Sequence, residues 1–408
     1  MSRTKSNRTI FFLGATGFLG SEVLISLARD LPNFHVRALV RAPVKDREAR
    51  LKAIYRDLSV VEGTLEDAVM IEEEVVKANF IINCASSDHL PCVKAILRGS
   101  EKNSANNPGR APLYIHVSGL GVTSDNCRGE HVDLEHIHPY TDVGFTLEDC
   151  PPHNTHLESD KPIVQAGTKR KNPIRTIVLF PGWIYGIGRG IQKSTLPVRH
   201  YIELAKTAGH AGTWGKGHNR MNNIHVRDCA DAVVAVFKAA LEGKADEGAE
   251  GLCKGSSHLT DESTDMRVAL DFAVSNEPMV TNGEIVAKIG DVMHANGFIK
   301  EPGSRPLPDK LVDPLGFCKF IFNDQSCSYD GINLSVGDWT DCWSLMAGNH
   351  IARPQRLFKL GWEPTETKKT SLMDSLGDEI ELALRNGAEY RSLKSGAVDD
   401  PSSASANV

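Results

Sequence analysis

The stretch FFLGATGFLG, residues 11–20, constrains the fold of this chain more than any other. It begins inside TIFFL (9–13), a β-branched and aromatic run that reads as a buried strand. It leads into SEVLISLARD (21–30), whose apolar residues at 23, 24, 27 and 28 have helical spacing. Gly14, Gly17 and Gly20 therefore fall at a strand-to-helix turn. Glycine permits the tight turn, lets backbone approach a pyrophosphate and allows close helix–strand packing. The positive end of the helix dipole then faces the phosphates. Three glycines alone carry little weight, but the mechanism requires this placement after a first strand and at the start of a first helix.

Further apolar runs at 35–40, 58–63, 78–85, 113–119 and 175–182 read as strands, with helical segments between them. Such alternation predicts an α/β fold, a Rossmann-type doubly wound parallel sheet. Residues 120–155 lack periodicity and read as a long insertion or active-site loop. The pattern loosens after 190, apart from a strand and helix over 222–242. The expected organisation is a nucleotide-binding domain over 9–190 and 222–245. A smaller discontinuous substrate domain would take 191–221 and 246–388, with disordered tails at 1–8 and 392–408.

The 408 residues carry a net charge of −6 and no long basic block, so nucleic acid is not an expected partner. The longest apolar runs are of strand length, far below the ~20 residues that span a bilayer. No apolar signal segment opens the chain, and the nine cysteines are scattered singly, so the expectation is a cytoplasmic protein with free thiols. A dinucleotide site of this build normally places an acidic residue at the end of the second strand to hold a ribose hydroxyl. Here RALVRAP puts Arg41 there, and a guanidinium suits a 2′-phosphate. That favours NADP over NAD; the alternative is a solvated strand-end arginine.

The motifs GATGFLG, VRALVRAP, VVEGTLED, INCASSDH, YIHVSGLG and FPGWIYGIGRG, with NNIHVRDCADAV and RPQRLFKLGWEP, occur in an order that resembles the extended and atypical short-chain dehydrogenase/reductase family. The likeness runs over roughly 9–385 and is greatest to its fungal NAD(P)-binding epimerase/dehydratase-like branch. The resemblance implies that Thr16, Phe18 and Leu19 line the pyrophosphate and that Thr64 and Leu65 line the adenine. It sets Ala85 and Ser86 beside the nicotinamide ribose, and Pro181 and Gly182 near the nicotinamide. Thr64 replaces the family's usual aspartate. The family also implies that helices following the fourth and fifth strands pair in a homodimer, although the sequence leaves oligomeric state open.

The family's proton donor is a tyrosine followed four residues later by a lysine, with a serine that orients the carbonyl. Ser118 in HVSG matches the serine, unless it is a strand-end residue bonded to backbone. The dyad is missing. In HNTHLESDKPIVQAG (153–167) its register falls on His156 and Asp160. Four residues apart on a helix, the two would share a face, and the carboxylate would orient the imidazole and raise its pKa. Pro162 opposes this, because proline favours the first helical turn. A helix starting near Ser159 or Asp160 would leave His156 on a loop and make Asp160 a cap. The one literal YxxxK, Tyr390–Lys394, reads as coincidence.

His131, His136, His138 and His153, with Asp133, Glu135 and Asp142, match no metal template, and no metal is expected. Asp88 and His89 follow the fourth strand and could reach substrate or cap the next helix, with capping by Asp88 the simpler reading. The leading expectation is an NADP-dependent reductase of a carbonyl or conjugated alkene in a mid-sized organic small molecule, such as a secondary metabolite. Ser118 would orient the substrate and His156, helped by Asp160, would protonate it. The alternatives are a non-redox isomerase, lyase or cyclase, or a non-enzymatic NADP-responsive regulator.

Overall fold

The computed structural model describes residues 8–41, 44–137, 139–244, 268–275, 279–308, 312, 328–329, 332–333 and 340–385. Tyr390–Lys394, His138 and both expected tails lie outside them except for Arg8, whose carbonyl accepts from His35 N–H at 3.0 Å. In chain order the first half contains β1 (Thr9–Leu13), α1 (Phe18–Asp30), β2 (His35–Val40), α2 (Val44–Ile54), β3 (Leu58–Glu62), α3 (Ala68–Lys77), β4 (Phe80–Asn83), α4 (Leu90–Asn106) and β5 (Leu113–Val117). There follow β6 (Tyr140–Thr141), α5 (Leu157–Gly167), β7 (Arg175–Pro181), β8 (Trp183–Tyr185) and α6 (Leu196–Ala208). The remainder includes β9 (Ala211–Thr213), β10 (Asn223–His225), α7 (Val226–Glu242), β11 (Val268–Ala273) and α8 (Asn282–Ala295).

Seven strands form one parallel sheet in the order β11-β7-β5-β4-β1-β2-β3. Six of the seven strands expected from the sequence are in it; the strand expected from 222 onward forms β10, which pairs in parallel with β8 in a separate two-stranded sheet. The sheet's remaining strand, β11, lies in a segment assigned on sequence to the second domain. Its run VALDFA is broken by Asp271, but Arg356 neutralises that carboxylate at 3.0 Å, both side chains being buried. The hydrophobic signal alone could not register a charge paired 85 residues away.

Side chains alternate across the strands and feed two cores, one on each face of the sheet. Ile10 and Phe12 of β1 point into a core shared with α1 and α7, including Val23, Leu27, Val233 and Phe237. Phe11 and Leu13 point the other way, into a core with Ile71 and Val75 of α3, Val93 and Ile96 of α4 and Ile163 of α5. Phe11 and Phe12 are both fully buried, and truncating either to alanine would cost ~3–5 kcal/mol. A third core joins Trp183, Tyr201, Trp214, Ile285, Ile289, Leu376 and Ile380. It is built from β8, α6, α8 and the helix Leu372–Arg385, apart from the sheet.

The 120–155 insertion lacks periodicity because it is short 3-10 turns and a two-residue strand rather than helix or sheet. It is nevertheless packed: Phe145, Leu147 and Cys150 enter the second core. Asp142 is fully buried and accepts from the backbone N–H groups of Phe272, Gln355 and Arg356. One short side chain thus fastens the insertion to β11 and to the segment after Pro354.

Candidate active site

The strand order reverses between β1 and β4, and in sheets of this kind ligands bind beyond the carboxyl ends of strands at such a point. The glycine loop sits there. Gly14 has φ +86°, and a Cβ on it would lie 2.6 Å from the backbone N of Ala85. A Cβ on Gly20 would fall 2.0 Å from the carbonyl oxygen of Gly14. The loops after β1 and β4 are therefore in contact. Gly17 is the N-cap of α1 without any side-chain capping bond. The helix thus opens on backbone N–H groups at Phe18 and Leu19 that no side chain among the described residues caps, a fit for a pyrophosphate. The loop after β8 lies over this helix: Ile191 N–H donates to Ser21 Oγ at 3.2 Å, and Arg189 pairs with the buried Glu22 at 2.8 Å.

Arg41 is exposed at the end of β2, and the side chain of Arg47 from α2 donates to its carbonyl. Burial and the neighbouring Arg41 charge both lower the pKa of Arg47. Thr64, expected at the adenine, is exposed and tied through its N–H and hydroxyl to Asp67 at 2.6 and 2.9 Å, while Leu65 is half-buried. Pro181 ends β7, and Gly182 follows against the Asn222 carbonyl, which a Cβ would approach to 2.3 Å.

The proton-bearing groups stand at the ends of β4 and β5. His156 Nδ1 lies 2.7 Å from Asp88 Oδ1, with each side chain one-tenth exposed. Asp88 also accepts from the Ser87 hydroxyl at 2.5 Å. Burial pushes the Asp88 pKa up, but the His156 charge and hydrogen bond outweigh it and the net shift is downward. For His156, burial lowers the pKa and the Asp88 carboxylate more than compensates, so the net shift is upward. Each member of the pair favours the charged form of the other. The other edge of the ring, Nε2, lies where a Cβ on Gly119 would meet it at 2.7 Å, directly after Ser118.

Beside it, Ser118 Oγ donates to Asp160 Oδ2 at 2.6 Å, and Asp160 is fully buried. Burial raises the Asp160 pKa to about 7 against the opposing effects of His156 and Ser118. His116 Nε2 faces Asp160 Oδ1 at 3.6 Å, just outside hydrogen-bond reach. Burial lowers the His116 pKa to about 4, so this ring is neutral. Its Nδ1 lies 2.9 Å from the Tyr114 hydroxyl and 3.3 Å from Asn83 Nδ2, whose amide is oriented by Ala85 N–H donating to Asn83 Oδ1.

Ser118, His156 and Asp160 thus come together, but not in the expected pairing. His156, at φ +74°, is itself the N-cap of α5, which starts at Leu157 rather than at Ser159 or Asp160. Its carbonyl accepts from the N–H groups of Ser159 and Asp160 at 3.0 and 2.9 Å. The shared-face argument needs helical geometry at both residues, and the left-handed backbone removes His156 from it. Asp160 is therefore neither a cap nor the partner of His156. Pro162 lies inside the helix, where it removes one backbone bond without ending it. A left-handed conformation is uncommon outside glycine, though histidine is among the residues that adopt it, and such strain clusters at functional sites.

Asp88 does not cap α4. His89 does, its Nδ1 accepting from Cys92 N–H at 3.1 Å while Nε2 meets Glu66 at 2.8 Å. Sequence reasoning missed Asp88 as the partner of His156 and missed His116 altogether. A signal was present: Tyr114, His116 and Ser118 recur every second residue, so polar groups line one face of a buried strand. Asp133, Glu135 and His136 can bring ligand atoms within 4.8 Å of one another, but all three are exposed.

Leu345, from the helix Thr340–Ala347, stands with Thr155 and His156 around Gly121. Ser344 of the same helix donates to Asn154 at 3.0 Å. The segment carrying His156 is thus braced from outside the sheet.

Residues 6–99 match the model of the NmrA-like family. Oxidase ucsJ from Acremonium sp is 29% identical over 301 residues, covering 72% of this chain and 81% of that protein. A dTDP-glucose 4,6-dehydratase from Bacillus anthracis, solved in complex with NAD, superposes with a TM-score of 0.56 at 13% identity, covering 94% of this chain and 99% of its own. The chain shares its Rossmann-type fold. A UDP-glucose 4-epimerase from Thermotoga maritima, solved with UDP-glucose, gives a TM-score of 0.54 at 14% identity, over 93% and 99% of the two chains. Among the described residues no helix is long and apolar enough to cross a membrane.

Proposed function

We propose that this chain is an NADP-dependent oxidoreductase that reduces a carbonyl or conjugated alkene of a mid-sized organic molecule, with His156 as proton donor. The observation that carries the reading is the buried His156–Asp88 pair at 2.7 Å, next to Ser118 at the carboxyl ends of the central strands. Bound at the glycine loop, a reduced nicotinamide would supply hydride. The chain's own residues then hold the proton, orient the oxygen and exclude water. Asp88 keeps the imidazole charged and aims Nε2 past Gly119, and a positioned acid of this kind contributes typically ~10²–10⁴-fold. Ser118 orients the substrate oxygen.

The uncapped N-terminus of α1, with Gly14, Thr16, Gly17 and Gly20, would hold the pyrophosphate. Arg41 and Arg47 would take the 2′-phosphate, which supports NADP over NAD. The core around Trp183, Tyr201 and Trp214, with Leu345 reaching the His156 segment, is proposed as the substrate lobe. The name of the fungal relative, an oxidase, and the NAD carried by the dehydratase of the same fold agree with redox chemistry on a nicotinamide.

The test is NADPH absorbance against a panel of ketones, aldehydes and enones, with His156→Ala and Asp88→Asn alongside. The reading expects cofactor loss with at least one class and a fall of ~10²-fold or more in both variants. Silence across the panel, or variants equal to the parent, would refute it.

A further inference from the structure

A hydroxyl has one proton, and in this site that of Ser118 is directed at Asp160. The Oγ–Oδ2 distance of 2.6 Å joins two buried side chains, so water does not compete for the bond. Among the described residues Asp160 accepts no hydrogen bond from a cation and its Oδ1 has no hydrogen bond, with the neutral His116 edge facing it at 3.6 Å. A carboxylate buried with one neutral donor and one long contact is poorly satisfied. A carboxylic acid there is better placed, because its proton lies between Oδ2 and Oγ.

We infer that Asp160 is a positioning residue that sets the polarity of Ser118, and with it whether the site accepts a carbonyl or an alcohol. With a proton on Oδ2, Asp160 donates to Ser118 Oγ, and the serine O–H is free to donate to a carbonyl oxygen. Without that proton, the serine O–H is committed to the carboxylate, and the serine lone pairs are left to accept from an alcohol hydroxyl. No bond other than O–H is made or broken, and the proton exchanges with solvent when the site is open. The inference rests on the proposed carbonyl chemistry for its consequence, but not for the state of Asp160 itself.

The groups facing Asp160 are His116 and Tyr114 of β5, Ser118 beyond it, Asp88 after β4, His156 at the head of α5 and Cys150 of the insertion. Asp88 is neutralised by His156, and His116 and Tyr114 are uncharged in this setting. Burial then decides, and the midpoint lies near pH 7.

The experiment is infrared difference spectroscopy on the full chain with isotope-labelled aspartate, titrated through neutrality. The expected result is a protonated-carboxyl band that disappears with a midpoint near pH 7. Burial pushes Asp142 up to about 7 as well, so the Asp160 signal is the component lost in Asp160→Asn, and that component should be shifted in Ser118→Ala, which keeps the carboxyl and removes only its partner. If Asp160→Asn removes no component of the band near neutral pH, or if Ser118→Ala leaves that component unmoved, the inference is overturned. A binding readout follows in the parent protein: affinity for a ketone in the NADP+ complex, relative to the matching alcohol in the NADPH complex, should fall by up to roughly tenfold per pH unit above the midpoint, and Asp160→Asn should remove that pH dependence. A band that titrates as expected in a protein without any NADPH-linked turnover would refute the reductase reading while upholding the Asp160 state.

Discussion

His156 Nδ1 and Asp88 Oδ1 are 2.7 Å apart although 68 residues separate them, and each side chain is one-tenth exposed. Asp88 belongs to the loop after β4 and His156 to the head of α5, so the pair ties two elements whose ends frame the site. Removing one member leaves the other buried and unpaired, which typically costs ~3–5 kcal/mol. Asp88→Asn should therefore lower the unfolding free energy by several kcal/mol. Asp88→Asn with His156→Ala should cost less than the sum of the two singles. Denaturant melts of all four proteins measure this, and strict additivity would show that the two side chains do not interact.

The pH dependence of that coupling has a definite sign. His156 is raised, so its contribution is complete below the unfolded histidine value and is lost as pH rises through its folded pKa. Asp88 is lowered, so its contribution is complete above the unfolded carboxylate value and is lost as pH falls through its folded pKa. The double-mutant coupling energy should be largest between these limits, near pH 5–6 on the ordinary values of about 3.9 and 6.5. A coupling that grows toward alkaline pH would contradict the charged pair.

Asp160 behaves in the opposite sense. Its pKa rises from 3.8 to about 7 on folding, so the folded state binds the proton more tightly and stability falls as pH climbs through that interval. Asp160→Asn removes this slope. Above neutrality the variant should be the more stable protein, by on the order of a few kcal/mol. Chemical denaturation at mildly acidic and mildly alkaline pH reads it directly.

Gly14→Ala should abolish nucleotide binding. Its Cβ would strike backbone at Ala85 and Cys84, both at 2.6 Å, and φ +86° strains any other residue. Fluorescence titration with NADPH measures the loss, and circular dichroism checks that the sheet survives. Retained affinity in a folded variant would mean that the nucleotide does not enter between the loops after β1 and β4.

Arg41→Ala should weaken NADPH binding by roughly tenfold to a hundredfold and leave NADH binding nearly unchanged, since a charged hydrogen bond is worth ~1.5–3 kcal/mol. Arg47→Ala should act in the same direction. Equal losses for both dinucleotides would assign the arginines another role.

The parallel sheet was legible because its strands are short apolar runs separated by helices, a pattern that each segment carries locally. β11 was not, because Asp271 interrupts it and its partner Arg356 is distant in sequence. The same distinction holds in the site. The glycine loop could be read from three residues and their surroundings. His156, Ser118 and Asp160 were found by position, but their pairing depends on the left-handed backbone at His156, which turns its ring toward Asp88. No spacing rule encodes that rotation. His116 was hidden inside an apolar strand, where a histidine reads as core unless its neighbours two residues away are also polar.

The central claim is that a nicotinamide cofactor enters at the glycine loop and is served by His156 and Ser118. A crystal structure of the NADPH complex tests it most directly. The account predicts the pyrophosphate on the N-terminus of α1, the 2′-phosphate between Arg41 and Arg47, and the nicotinamide ring beside Ser118 and His156 Nε2, with room for one substrate carbonyl between them. A nicotinamide turned away from His156, or a site that holds no dinucleotide, would contradict it.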